Sequence, residues 1–377
     1  MTRPAPMALR GVRKVAQLMA DRDTPFIANE WYVAAFADEI GRALTRRTLL
    51  DRRVVLYRTG DGRAVALDDR CAHRSFPLSA GRLDGDTLVC GYHGFRYDAQ
   101  GDCIEVPSQA NCPKGIGVHA YPLVERGPLL WIWMGDAALA DASRIPEQRW
   151  LTSPDWVCSK GYFHLRGNYV SLHENLLDLT HLSFVHAQSF GTPDYARAPF
   201  ETRFDEGRYA IERRVIPTTL PPVWADPTGL KAPTAARIAT SEFLSPGLHN
   251  VSVTFYDSAL PPVGRHEFRI RTAHIPTPES NGSTHYFIVH GRDFAQADDG
   301  VTHFMHQQLF KAFEEDVAAL ELLEAVLARA DDSSYEMSVA SDVPAVTMRK
   351  YLKRRADAER GTQAAATTTA AAGAALR

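Results

Sequence analysis

Two groups of residues in this chain could bind metal and move electrons. The first is Cys71-x-His73, followed after sixteen intervening residues by Cys90-x-x-His93. Each pair sits on a turn leaving a strand, so the two loops could converge. Two thiolates and two imidazoles suit either tetrahedral zinc or a cluster in which cysteine holds one iron and histidine the other. The mixed order favours the cluster, because each loop then offers one ligand of each kind and both loops reach both irons. Neutral imidazoles in place of thiolates raise the reduction potential and make a mild one-electron carrier. Cys103, Cys112 and Cys158 have no such partners and read as buried, inert thiols.

The second group begins with Asp178, His181 and His186. On an ideal helix two residues five apart lie about 140° apart, too far to chelate one ion, so a helix must end or kink between the histidines. Asp178 lies one turn before His181 and shares its face. An open facial triad for ferrous iron needs a carboxylate as third ligand. The stripe Leu309, Phe313, Val317, Leu320, Leu323 and Leu327 marks a late helix from about His303 to Ala330, with Asp316 on the flank of the stripe and Glu314 and Glu315 pointing away. An ionised carboxylate beside a core stripe is costly unless it is paired or ligates a metal. Asp316 is therefore the candidate third ligand, the alternative being a cap or a salt bridge to a buried arginine.

These residues need two frameworks. From 26 to 140, short β-branched and aromatic runs alternate with turns such as Gly60-Asp61-Gly62 and end at Leu129-Leu130-Trp131-Ile132-Trp133-Met134, which predicts a small antiparallel β domain. Residues 141–355 mix helix, at 168–180 and in the late stripe, with strands at 208–216, 249–257, 266–274 and 284–290, separated by Pro-rich turns such as Pro276-Thr277-Pro278. The fold class is α+β: an all-β domain, then a domain with an antiparallel sheet flanked by helices. Residues 1–25 read as an extension and 356–377, rich in Ala and Thr, as a disordered tail.

Composition excludes several classes. Five cysteines, an odd and sparse number, argue against a disulfide framework and for a reducing, cytoplasmic setting. A net charge of -3 provides no concentrated basic surface for nucleic acid. No run approaches the roughly 18 apolar residues of a membrane span.

Cys71-Ala72-His73-Arg74 and Cys90-Gly91-Tyr92-His93-Gly94-Phe95-Arg96-Tyr97-Asp98 resemble the two cluster-binding loops of a Rieske domain, and Trp131-Ile132-Trp133-Met134-Gly135 resembles the strand that closes it in the Rieske non-haem iron oxygenases. Ala72 stands where many members have Pro. Asn175-x-x-Asp178-x-x-His181, followed by His186, resembles the iron motif of the same family. The resemblance implies a [2Fe-2S] cluster on Cys71, His73, Cys90 and His93, and a mononuclear Fe2+ on His181, His186 and Asp316. It also implies that Asp178 bridges His181 to His93 of a neighbouring copy in a homotrimer, carrying electrons between subunits. Phe26-Ile27-Ala28-Asn29-Glu30-Trp31-Tyr32-Val33-Ala34 and Leu177-Asp178-Leu179-Thr180-His181 are most similar to the vanillate O-demethylase type.

On that resemblance the chain is expected to activate O2 against a small aromatic substrate, an aromatic acid, hydroxylating or O-demethylating it. NAD(P)H would act through a separate reductase, directly or by way of a ferredoxin. A cis-dihydroxylating ring dioxygenase and a non-catalytic Rieske electron carrier are the competing readings. Asn250 and His274, on strands expected to line the interior, are candidate substrate contacts.

Overall fold

The computed structural model describes residues 18–231, 233–329 and 336–374. The chain divides into two compact units, one of residues 28–145 with 277–280, the other of the remaining residues.

The first unit is built of β1 (Trp31–Phe36), β2 (Thr45–Leu49), β3 (Arg52–Arg58), β4 (Ala64–Asp68), β5 (Arg82–Asp84), β6 (Thr87–Val89), β7 (Arg96–Tyr97), β8 (Cys103–Glu105), β9 (Leu123–Arg126) and β10 (Leu129–Trp133). They form three sheets with the orders β1-β10-β9, β2-β3-β4 and β5-β6-β7-β8. Every residue of β1 and β10 is buried, so neither strand shows the polar alternation of a half-exposed one. Val55, Tyr57, Leu67, Leu78, Leu88 and Tyr97 pack with Cys71 and Cys90 in one core.

The second unit contains β11 (Val157–Leu165), α1 (Tyr169–Leu177), β12 (Phe200–Asp205), β13 (Arg208–Val215), α2 (Pro222–Thr228), β14 (Ala235–Ser245), β15 (Leu248–Asp257), β16 (Phe268–Ser280), β17 (Ser283–Arg292), α3 (Asp299–Leu327) and α4 (Val343–Ala374). Its seven-stranded sheet has the order β11-β17-β16-β15-β14-β13-β12, with antiparallel registers such as Tyr162 opposite Phe287 and His249 opposite His274. Leu172 and Leu176 of α1 and Leu309, Phe313 and Leu320 of α3 pack with Ile211, Val253, Phe255 and Ile288 of the sheet. The Asp298 side chain accepts a hydrogen bond from Val301 N at 3.0 Å and caps α3.

Several expectations are corrected. Pro276-Thr277-Pro278 is no turn; it continues β16, because proline's fixed φ fits an extended strand and only its missing N–H must be spared. Thr277 Oγ1 donates to Val33 O at 2.8 Å and accepts from Val33 N at 3.2 Å. The tail expected to be disordered from 356 is helical to Ala374, as the high helix propensity of alanine allows, and Ala356 is buried beside Met348 and Leu352. Ala20 and Ile27 pack into the same cluster, and Ala20 N donates to Arg349 O at 2.9 Å. The rest of the expected extension (1–17), Ala330 and residues 375–377 lie outside the described residues. Among the described residues, no helix is long and apolar enough to cross a membrane.

Candidate metal centres

The two cysteine loops share one main-chain design. Cys71 N donates to Phe76 O and Cys90 N to Phe95 O, each at 2.8 Å. Ser75 N donates back to Cys71 O at 2.9 Å and Gly94 N to Cys90 O at 3.1 Å. The equivalent residues Ser75 and Gly94 are both left-handed, at φ 60° and 73°. Each loop thus turns its cysteine inward in the same way. Both thiols are buried, while His73 and His93 are exposed with ring centroids 4.7 Å apart. His73 stacks on Phe95 at 4.7 Å, and Tyr97 Oη lies 3.1 Å from Cys71 Sγ. Burial, with Cys71 alongside, raises the Cys90 pKa. Two neighbouring buried thiols are poor places for bare thiolates, and an iron–sulfur cluster suits them because it takes up that charge. The two loops thus pair Cys71 with Cys90 inside and His73 with His93 at the surface, the ligand types such a cluster takes.

The other cysteines take no part. Cys112 Sγ donates to Cys103 O at 2.8 Å, and burial, followed by Cys112, pushes the Cys103 thiol up to about 12. Cys158, expected to be buried, is exposed on β11.

In the second unit the helix ends where the histidine spacing requires. Asp178 closes α1 and opens a 3-10 turn, Leu179–Ser183, that carries His181. The chain then turns back, with Gly191 N donating to His186 O at 2.9 Å. A Cβ at Gly191 would collide with the Leu182 carbonyl, so the loop closes only around glycine. His181 and His186, sharing no helical face, end with ring centroids 5.2 Å apart.

His181, His186 and Asp316 offer ligand atoms that all lie within 4.8 Å of one another. Asp316 Oδ1 is 3.2 Å from His186 Nε2 and 3.6 Å from His181 Nε2, and it accepts from Asn175 Nδ2 at 3.0 Å. The remote nitrogens are occupied: His181 Nδ1 by the main-chain carbonyl of Asp178, His186 Nδ1 by Glu315 Oε2 at 2.8 Å. With Nδ1 donating in both rings, both Nε2 lone pairs face the carboxylate, as a metal requires. In the alternative state with His186 protonated at Nε2 as well, burial opposes a charge on Asp316, but the hydrogen bond and charge of His186, with His181 and Asn175, outweigh it and hold the Asp316 pKa below the usual value. The donor set fits a ferrous ion.

Two expectations about support of this site change. Glu315 does not point away; it holds His186 and also accepts from Ser189 Oγ at 2.7 Å. The Asp178 group that holds His181 is its carbonyl, because the carboxylate caps the following turn by accepting from Thr180 N at 2.8 Å.

One cavity opens over this group, walled by Leu182, Phe190, Trp224, Val251, Val253 and Ile270 among others, with His274 and Arg237 among its polar residues. His274 is buried and paired with Tyr286 Oη, and burial pushes its pKa down to about 3, so it is neutral. Asn250 is not in the cavity. The two-residue period of β15 sends Val251 and Val253 inward and Asn250 to the opposite face, where it donates to Gln148 Oε1 at 2.8 Å. Arg237, unremarked in the sequence, lies on the inward face.

Comparison with known proteins identifies both domains. Residues 30–122 match the Rieske [2Fe-2S] domain, and residues 165–358 match the vanillate O-demethylase oxygenase C-terminal domain. The toluene-4-sulfonate monooxygenase system iron-sulfur subunit TsaM1 of Comamonas testosteroni is 35% identical over 89% of this chain and 99% of its own. The dicamba O-demethylase oxygenase component of Stenotrophomonas maltophilia is 34% identical over 79% and 88%. A crystal structure of dicamba monooxygenase with non-haem iron and dicamba superposes with a TM-score of 0.78 at 28% identity, covering 90% of this chain and 99% of that one. The chain belongs to the Rieske non-haem iron oxygenases of the vanillate O-demethylase type. It is an oxygenase component of the monooxygenase and demethylase kind, using a [2Fe-2S] cluster and a non-haem iron and served by a separate reductase.

Proposed function

We propose that the chain hydroxylates or O-demethylates an aromatic acid at an iron held by His181, His186 and Asp316, with electrons from a cluster held by Cys71, His73, Cys90 and His93. The observation that carries this reading is the meeting of two imidazole Nε2 atoms and one carboxylate oxygen under an apolar cavity, each imidazole anchored through its other nitrogen. When bound, the cluster supplies single electrons and the ferrous ion activates O2. The protein groups do the rest. Glu315 and the Asp178 carbonyl fix both imidazole tautomers, the apolar walls exclude water, and neutral His274 orients a polar substituent of the substrate.

For an aryl methyl ether, the balance is one O2, two electrons and two protons per methyl group. Hydroxylation gives a hemiacetal and water, and the hemiacetal releases formaldehyde and the phenol. The two electrons come from NAD(P)H through the reductase, directly or by way of a ferredoxin. Relatives named for toluene-4-sulfonate and for vanillate support an aryl anion as substrate. The assembly is a cytoplasmic homotrimer in which the carboxylate of Asp178 reaches His93 of the partner subunit, so that electrons cross between copies.

The test is to screen methoxylated and chlorinated aromatic acids with a reductase, following NADH use and formaldehyde under labelled O2. Formaldehyde equal to NADH consumed, with no labelled oxygen in the phenol, supports demethylation, and one labelled oxygen in the aromatic product supports hydroxylation. Both labelled oxygens in one ring as a diol would overturn it.

A further inference from the structure

Arg237 is 2% exposed on the inward face of β14 and lines the cavity that also contains His181, His186 and Asp316. Other buried arginines of this unit are well satisfied at their terminal nitrogens. Arg213 donates to the carbonyls of Tyr195, Ala196 and Ala198 and to Thr180 Oγ1. Arg292 Nη2 donates to Ala295 O, Asp298 O and Thr302 Oγ1. Arg237 makes one such bond, from Nη1 to Phe190 O at 3.2 Å, and among the described residues its Nε, like that of Arg213 and Arg292, is buried without an acceptor.

Nor, among the described residues, does a carboxylate form an ion pair with it. Asp194 is near enough to be felt electrostatically, but it accepts from Thr218 Oγ1 at 2.8 Å and makes no ion pair with Arg237. Aromatic rings hold the guanidinium in place: its centre lies 4.6 Å from the Tyr195 ring and 5.9 Å from that of Phe190. Phe190 in turn stacks on His186 at 4.5 Å. A buried cation with unused donors is expensive unless something brought into the site completes it. Of the cavity's other polar residues, neutral His274 and Thr272 supply no counter-charge, and the Asp316 carboxylate is engaged by Asn175, His181 and His186.

We infer that Arg237 is the specificity-determining residue of this site and binds the anionic group, carboxylate or sulfonate, of an aryl substrate. The guanidinium fork matches either oxyanion, and the pair forms away from water, where charge-assisted hydrogen bonds are strongest. The two contacts through Phe190 place the anion-binding end one aromatic ring away from His186, leaving the far substituent of the substrate at the iron ligands. This deepens the proposed function and rests on it for the identity of the reacting end.

The test measures binding, by calorimetry on the anaerobic holoprotein, of 4-methoxybenzoate, 4-methoxybenzenesulfonate and the neutral 4-methoxybenzamide. Wild type should bind at least one anion roughly 10- to 100-fold tighter than the amide. Arg237→Met should lose that preference while amide affinity and both metal contents stay unchanged. Preference for the benzoate alone assigns a carboxylate, for the sulfonate alone a sulfonate, and for both the shared oxyanion. Wild type without an anion preference, or Arg237→Met binding anions as wild type does, overturns the inference. Should Arg237→Met fail to fold, Arg237→Lys carries the test: a several-fold loss for the anion alone supports it, and unchanged anion affinity overturns it. A protein without mononuclear iron but with the anion preference would refute the oxygenase site and leave Arg237 in place.

Discussion

Glu315 accepts a hydrogen bond from Nδ1 of His186 at 2.8 Å, while Asp316, the next residue of α3, faces Nε2 of the same ring at 3.2 Å. Consecutive carboxylates thus clasp one imidazole from both sides. Hydrogen bonds of this kind fix the tautomer and raise ligand basicity, and losing one typically lowers metal affinity about 10- to 100-fold. Glu315→Ala should weaken Fe(II) binding by that amount, measured by anaerobic titration, with cluster absorbance unchanged. Wild-type iron affinity would show that His186 needs no such support.

His186→Ala removes one of three ligand atoms while leaving both cysteine loops intact. The variant is expected to purify without mononuclear iron yet with full visible absorbance from the cluster. Joint loss of both metals would contradict the assignment of the two centres to separate residues.

Asp178→Asn preserves the cap on Thr180, since asparagine is as good an N-cap as aspartate. The His181 contact also survives, because it is made by the main chain. Both metals should therefore remain, and turnover should fall steeply through loss of the carboxylate's charge. Rapid turnover with normal product yield would remove this carboxylate from the electron path.

Tyr97 Oη lies 3.1 Å from both Cys71 Sγ and Ala72 N. Tyr97→Phe should keep the cluster but lower its midpoint potential, since hydrogen bonds to the ligand sulfurs favour the reduced state. Redox titration followed by electron paramagnetic resonance reads this directly; an unchanged potential would mean the hydroxyl serves the loop backbone alone.

Gly191→Ala drives a Cβ into the Leu182 carbonyl. Relieving the clash must shift the loop that carries His186, at a cost of about 1–3 kcal/mol of stability. Thermal unfolding should occur at lower temperature and iron occupancy should drop. Wild-type values for both would show that the loop accommodates the methyl.

The candidate metal ligands were legible because chemistry restricts such groups to a few residue types at telling intervals, and the structure brings His181, His186 and Asp316 together. His181 and His186 even announced the break in the helix between them. The supporting groups were harder to see: a helical wheel placed Glu315 off the core stripe, yet a long side chain at the stripe's edge reaches sideways to His186. β14 escaped notice because its buried face reads Ala235, Arg237, Ala239, Ser241, Phe243, too polar for the usual alternation. That same irregularity marks the cavity, for Arg237 is out of place in a core unless something answers its charge. Asn250 misled because a strand's register decides which face a residue takes, and one position separates it from Val251.

The matched hairpins around Cys71 and Cys90 have a further consequence for assembly. Their bends are closed by their own peptide groups, so the polypeptide should be able to form the mould before any inorganic core arrives, leaving maturation to fill it. Stripping the iron and sulfide should then leave the β scaffold standing, ready to be refilled without refolding.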